Sequence, residues 1–308
     1  MIGPPDDRAV DAPISQDDVV AALERICASN KGKQWIRDRE IDLGDKRWRP
    51  SAVVDSGNQL LYVSLLDGVP RFASERLRLA ADRGITPTVA LRLAALFNPE
   101  VVKLLAEVEA EVIVLDDYVR PRQLEPRSVF VALAEIDIPV EAGLRRQMSD
   151  LALGRVRVGT AQQKGRRLEA LLTFVFSQID GVKVIEHNYR TATQEIDIVL
   201  QIDGHGSRVW QQLGAPFILV EAKNRADKAS QQMVSVLIQK LQTKRGTSRV
   251  GVLVSLAGFT MDAKEEELRL SRDDVCVVMV DRGQLERLVA ADDLSSEFET
   301  QVRRALLR

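Results

Sequence analysis

Gln194-Glu195-Ile196-Asp197-Ile198-Val199-Leu200 and, after a turn-rich interval, Phe217-Ile218-Leu219-Val220-Glu221-Ala222-Lys223-Asn224 decide the fold of the second half of this chain. Both are near-continuous apolar runs of strand length, the pattern of strands buried on both faces. Each nevertheless carries charge. Side chains alternate across a strand, so Glu221 and Lys223 project from one face while Ile218, Val220 and Ala222 take the other. If the two strands pair, Asp197 joins that face, and two carboxylates meet one ammonium at the end of an apolar sheet.

Such a cluster suits a divalent cation and a phosphate. Mg²⁺ prefers carboxylate oxygens, keeps several waters and needs only one or two protein carboxylates beside substrate phosphate. Asp197 and Glu221 supply that number, so Mg²⁺ or Mn²⁺ is the expected cofactor. The Ala222 carbonyl, between the two charged side chains, is a further candidate metal ligand. Lys223 is placed to orient attacking water or to stabilise the pentacovalent state. Glu-x-Lys alone also marks a solvated strand face with a cross-strand ion pair; here the apolar flanks argue against that.

The elements around the two strands read in order. Lys164 to Phe176 has apolar positions at helical spacing and one acid, Glu169, with Gly181 as a stop signal. Val182-Lys183-Val184-Ile185 begins the strand system. Gln231 to Gln242 is a helix with the stripe Val234, Leu237, Ile238 and Leu241. Arg249 to Leu256 is a buried strand, Asp262 to Leu270 a charged helix, Val275 to Val280 the last strand and Gln284 to Val289 a helix, giving αβββαβαβα.

This arrangement resembles the PD-(D/E)xK superfamily of nucleases, and more narrowly the Mrr-like restriction endonuclease group, over about residues 161–290. The matching pieces are Gly165 to Glu169, Glu195-Ile196-Asp197, Glu221-Ala222-Lys223, and Val254-Ser255 through Gly258-Phe259-Thr260. The resemblance implies an α/β fold, a restriction-endonuclease-like mixed sheet flanked by helices. It implies Asp197 and Glu221 as catalytic acids, Lys223 as the catalytic lysine and Glu169 as the helix glutamate that assists the metal. The chain departs from the pattern in lacking a proline before Asp197 and in the long insertion Asp203 to Pro216, so restriction proper is not implied.

Nucleic-acid contacts are expected from Arg166 and Arg167 on the first helix and from Lys240, Lys244 and Arg245 near the end of the Gln231 helix. Gln231 and Gln232 also lie within reach of a phosphate groove, although polar residues at a helix start more often cap or face water. Solvated lysines and a helical Glu169–Arg ion pair are the ordinary alternatives. Lys and Arg number 43 against 45 Asp and Glu, a net charge of −2, so no global field draws the chain to nucleic acid and any binding needs a local patch plus the metal.

Cys27 and Cys276 fit buried thiols rather than a disulfide or zinc site. With only His187 and His205, no histidine triad is recognisable. No stretch approaches a membrane span, and Met1 to Pro13 lacks a signal peptide's apolar core, so a cytoplasmic protein is expected.

The first half is again alternating α/β. Ser15 to Asp18 fits a capping box before a helix Val19 to Cys27. Basic and aromatic residues interleave over Lys31 to Arg37 and Lys46 to Arg49, a pattern more often of packed surface layers than of base stacking. Strands at Leu60 to Leu66, Thr86 to Leu91 and Glu111 to Leu115 alternate with helices at Glu75 to Ala81 and Pro99 to Val108. The expected division is a smaller α/β domain over 1–118, a connector over 119–160 and the nuclease domain over 161–308. The first domain reads either as a degenerate nuclease-like copy, with Ser64 where charge would be needed, or as a Rossmann-like ligand sensor, although no glycine-rich phosphate loop is visible.

The expected function is a metal-dependent endonuclease acting on DNA, as a homodimer where both strands are cut, in a setting such as phage defence. Two alternatives stand beside it: a catalytically silent nucleic-acid-binding or scaffold module, and a ligand-activated defence nuclease acting on RNA or single-stranded DNA.

Overall fold

A computed structural model of the chain describes residues 35–44, 46–54, 56–115, 126–190, 195–203, 208–244, 246–270 and 275–307. The expected helix Val19 to Cys27, its capping box, His205 and Arg245 lie outside these residues. The chain divides into two units, Met1–Ala132 and Leu133–Arg308.

The first unit holds strands β1 (Trp35–Arg37), β2 (Ile41–Asp42), β3 (Arg47–Trp48), β4 (Ala52–Val54) and β5 (Gln59–Val63), then helix α1 (Arg71–Asp82), β6 (Thr86–Leu91), helix α2 (Pro99–Glu107), β7 (Glu111–Val114) and β8 (Arg127–Ser128). Its main sheet has the order β1-β4-β5-β6-β7-β8, with β5, β6 and β7 parallel. Ala52 of β4 and Leu61, Ala90 and Ile113 of the three parallel strands form a buried cluster on one face of that sheet. Asn98 starts α2 by accepting from the Glu100 N–H at 3.0 Å, and Pro99 occupies the first helical position, where its missing N–H costs nothing.

Helix α3 (Val129–Ile136) contains the division between the units, and α4 (Ala142–Arg155) follows. The stretch 119–160, expected as a connector, thus contains two helices. The second unit continues with α5 (Ala161–Ser177), β9 (Val182–Arg190), β10 (Glu195–Ile202), α6 (Arg208–Leu213), β11 (Phe217–Lys223), α7 (Gln231–Gln242), β12 (Ser248–Ser255), α8 (Met261–Leu270), β13 (Cys276–Asp281), α9 (Arg282–Ala290) and α10 (Leu294–Leu306). Thr160 and Gln163 form a capping box at the start of α5, and Gly181, at φ 73°, turns the chain into β9 where an L side chain would be strained.

The sheet order is β13-β12-β11-β10-β9. β10 runs antiparallel to β11, with Ile198 opposite Val220 and Leu200 opposite Ile218, whereas β11, β12 and β13 are parallel. This is the expected mixed sheet flanked by helices. One face is sealed by α7, whose Val234, Leu237, Ile238 and Leu241 pack with Leu219, Leu253 and Val277. A Cβ at Gly251 of β12 would lie 3.0 Å from carbons of Leu237 and Leu241, so the bare backbone there lets the helix settle on the sheet.

The two units share a connection pattern. In each, an antiparallel pair (β4–β5, β10–β11) leads through helix, strand, helix and strand, and the strands β5, β6, β7 or β11, β12, β13 are parallel neighbours. A further strand pairs antiparallel on the outer side of the hairpin, β1 on β4 and β9 on β10. The charges differ: β4 and β5 carry neither a carboxylate nor an ammonium.

Candidate active site

The ladder between β10 and β11 ends at Ile198 and Val220, so Asp197 and Glu221 stand one step beyond the last paired residues. The Asp197 carboxylate turns to the open end of β11 and accepts the Ala222 N–H at 2.6 Å. Within one strand residue the N–H and C=O face the same neighbouring strand, so the Ala222 carbonyl is also on the edge facing Asp197. Lys223 Nζ lies 3.1 Å from Glu221 Oε2 and 3.6 Å from Asp197 Oδ2. The structure therefore brings the two acids and the lysine together. Glu221 is buried, with 8% of its side chain exposed, and Asp197 nearly so at 14%.

Burial acts to lower the Lys223 pKa, but Asp197 and Glu221 outweigh it and raise the value above that of an ordinary lysine. Lys223 is thus an ammonium at neutral pH, acting by charge and hydrogen-bond donation rather than as a base.

Glu169, on α5, faces the same cluster. Burial, and after it the negative charge of Asp197, push its carboxyl above the usual range, with Lys223 a partial offset. A carboxyl whose pKa is raised by folding contributes stability below its unfolded pKa that is lost as pH rises through the folded value. Glu169→Gln cannot ionise. In chelator, the variant and the parent should melt alike at about pH 4, and the variant should become the more stable as pH rises to about 8. A melting difference that stays constant over that range would contradict this placement of Glu169.

The other expected contact residues separate. Arg166 is exposed on α5. The Arg167 guanidinium is turned back on the chain, donating to the Val158 carbonyl at 2.6 Å, and Lys244 stacks over Tyr189 at 5.3 Å. Lys240 does not lie along an outer phosphate track; its ammonium hydrogen-bonds Glu221 Oε1 and the Glu195 carbonyl. Gln231 donates to Glu266 at 3.0 Å, within a network that includes Ser235 and Arg269. Arg269, then Ser235 and Gln231, hold the Glu266 carboxyl down at about 2.

Two residues unnoticed in the sequence frame the site. Asn224, directly after Lys223, donates at 2.8 Å to the carbonyls of Val156 and Lys164, so it ties the start of α5 to the end of β11 and sets where Glu169 stands. Arg225 follows, exposed, and its charge is felt by Lys223. Nothing in the type of either residue distinguishes it from a loop residue; only adjacency to the Glu-x-Lys motif is a signal.

Among the described residues no group of three or more His, Cys, Asp or Glu side chains is arranged to hold a metal ion. Mg²⁺ does not require one. Asp197 and Glu221 already share a single ammonium, which shows that their oxygens converge on one cation-sized position, and the Ala222 carbonyl shares that edge. The donor set is all oxygen, which fits Mg²⁺ or Mn²⁺ and not a thiolate-seeking ion.

A family model described as restriction endonuclease, the Mrr catalytic domain, matches residues 160–289. That segment is a restriction-endonuclease-like domain of the Mrr type, within the PD-(D/E)xK nucleases. Searches among curated proteins and among solved structures gave no match.

Proposed function

We propose that this nuclease-type domain is a metal-dependent endonuclease that hydrolyses phosphodiester bonds in DNA with water as nucleophile. The observation that carries the reading is the convergence of Asp197 and Glu221, from neighbouring antiparallel strands, on the ammonium of Lys223. Asp197, Glu221 and the Ala222 carbonyl would hold Mg²⁺ or Mn²⁺. When bound, the ion lowers the pKa of its water and offsets charge on the phosphoryl oxygens. Lys223 donates to the attacking water or to a non-bridging oxygen, and stays charged while doing so. The Ala222 N–H keeps Asp197 aimed, and Asn224 keeps α5 and Glu169 beside it. Exposed Arg166 and Arg225 offer the local positive charge that a net charge of −2 otherwise withholds from a phosphate backbone.

The shared connection pattern of the two units supports reading the first as a nuclease-like copy without the site, in preference to a Rossmann-like sensor. Its role is then to recognise or regulate rather than to cut.

Supercoiled plasmid incubated with the full chain and Mn²⁺ should be converted to nicked and linear forms, and chelator should prevent this. Linear product without a nicked precursor would indicate paired sites and hence a homodimer. If plasmid, single-stranded DNA and RNA all remain intact with Mn²⁺, the chain is a silent binding module and the proposal fails.

A further inference from the structure

Glu221 carries an ammonium on each of its two oxygens. Lys223 takes Oε2 at 3.1 Å, and Lys240 takes Oε1 together with the backbone carbonyl of Glu195. The two lysines reach the carboxylate from different elements. Lys223 is on the same strand as Glu221, two residues on, whereas Lys240 comes from α7. Leu219, two residues before Glu221 on the same strand face, packs with Leu237 and Leu241 of that helix; Lys240, beside Leu241, is therefore turned to the next residue of that face, which is Glu221. Only 12% of the Lys240 side chain is exposed.

A buried carboxylate cluster without counter-charge is costly. Among these four groups, Asp197 and Glu221 against Lys223 and Lys240 sum to zero, so the two carboxylates that would hold the metal are already matched by ammonium charge. Hydrolysis as proposed above uses one lysine. The second has no part in it, and it draws charge from the same carboxylate through the other oxygen, Oε1.

We infer that Lys240 is a tethered counter-cation that competes with the divalent ion for Glu221 and so holds metal affinity down in the nucleic-acid-free protein. The inference rests on the reading of Asp197 and Glu221 as metal ligands. An ion entering beside both lysines leaves a surplus of two positive charges, which a phosphodiester anion would partly offset. Without Lys240 these groups begin at −1, and the same ion meets a net attraction that the balanced set lacks.

The test is Mn²⁺ binding to the full chain without nucleic acid, by electron paramagnetic resonance of free Mn²⁺ and by calorimetry. Lys240→Met should bind Mn²⁺ at least tenfold more tightly than the parent, about 1.4 kcal/mol, and Lys240→Arg should bind like the parent. Lys240→Met should melt below the parent in chelator, because Glu221 Oε1 loses its partner, and should gain more melting temperature from Mn²⁺. Lys240→Gln, which keeps a donor without the charge, should show the same tightening if the Met variant does not fold. Unchanged or weaker Mn²⁺ affinity in the folded neutral variants overturns the inference. If the parent binds Mn²⁺ and Asp197→Asn abolishes binding in that same experiment, the metal-site reading survives this failure. If neither the parent nor any Lys240 variant binds Mn²⁺, both fall.

Discussion

Asp197→Asn is expected to reduce Mn²⁺-dependent cleavage by about 10³-fold or more, while the protein still folds. The carboxamide is nearly isosteric, and its oxygen can still accept the Ala222 N–H that Asp197 Oδ2 accepts at 2.6 Å. The backbone arrangement is thus preserved, and the negative charge is what disappears. An active-site charge lost to the transition state is worth several kcal/mol, and each 1.36 kcal/mol is a factor of ten in rate. Chelator should leave the variant melting near its parent, and added Mn²⁺ should no longer raise its melting temperature. Lys223→Met gives the complementary pattern, because it removes the donor to water or phosphate and leaves both carboxylates in place with one counter-charge fewer: cleavage lost, Mn²⁺ binding kept or tightened. Cleavage by Asp197→Asn at the parental rate would remove the hydrolytic centre from this position.

The parts legible in the sequence were those in which a local pattern and the tertiary environment agree. The Gln231 to Gln242 helix and the Thr86 to Leu91 strand have the expected bounds, because the helix buries a regular apolar stripe and the strand is buried from its second residue on. The pairing of the motif strands was legible only as a condition, because the insertion Asp203 to Pro216 between them left the register open; the ladder that sets Ile198 opposite Val220 meets that condition. Lys240 was harder. A lysine near a helix end is most often solvated, and only its position beside Leu241, at the edge of the buried stripe, hints that it turns inward. Asn224 was not legible at all, since its partners at Val156 and Lys164 are distant in sequence. The segment Asp203 to Pro216 read as an insertion because its helix, Arg208–Leu213, is too short to show a period. Its Trp210 is nevertheless buried, and the reason lies at the other end of the chain.

Phe298→Ala is expected to destabilise the second unit by about 3–5 kcal/mol. Phe298 belongs to α10, beyond the segment 160–289 that matches the family model, yet its side chain is fully buried. Its ring lies 5.3 Å from that of Phe176 at the end of α5, edge to face, and 5.6 Å from Trp210 of α6. Truncation removes both ring contacts and leaves a cavity among side chains from three helices, which cannot collapse without moving α5. The melting temperature should fall by roughly 10 °C. Leu307→Ala, at a residue 87% exposed just after the same helix, should change stability by no more than about 0.5 kcal/mol, which separates loss of packing from loss of hydrophobicity. Below its lower melting point the Phe298 variant should cleave at the parental rate, because Asp197, Glu221, Lys223 and Asn224 make their hydrogen bonds and ion pairs without it. Equal melting of Phe298→Ala and its parent would show that α10 does not complete this core. A chain ending at residue 289 would, on the same physics, expose Phe176 and Trp210 together and lose more stability than the point variant.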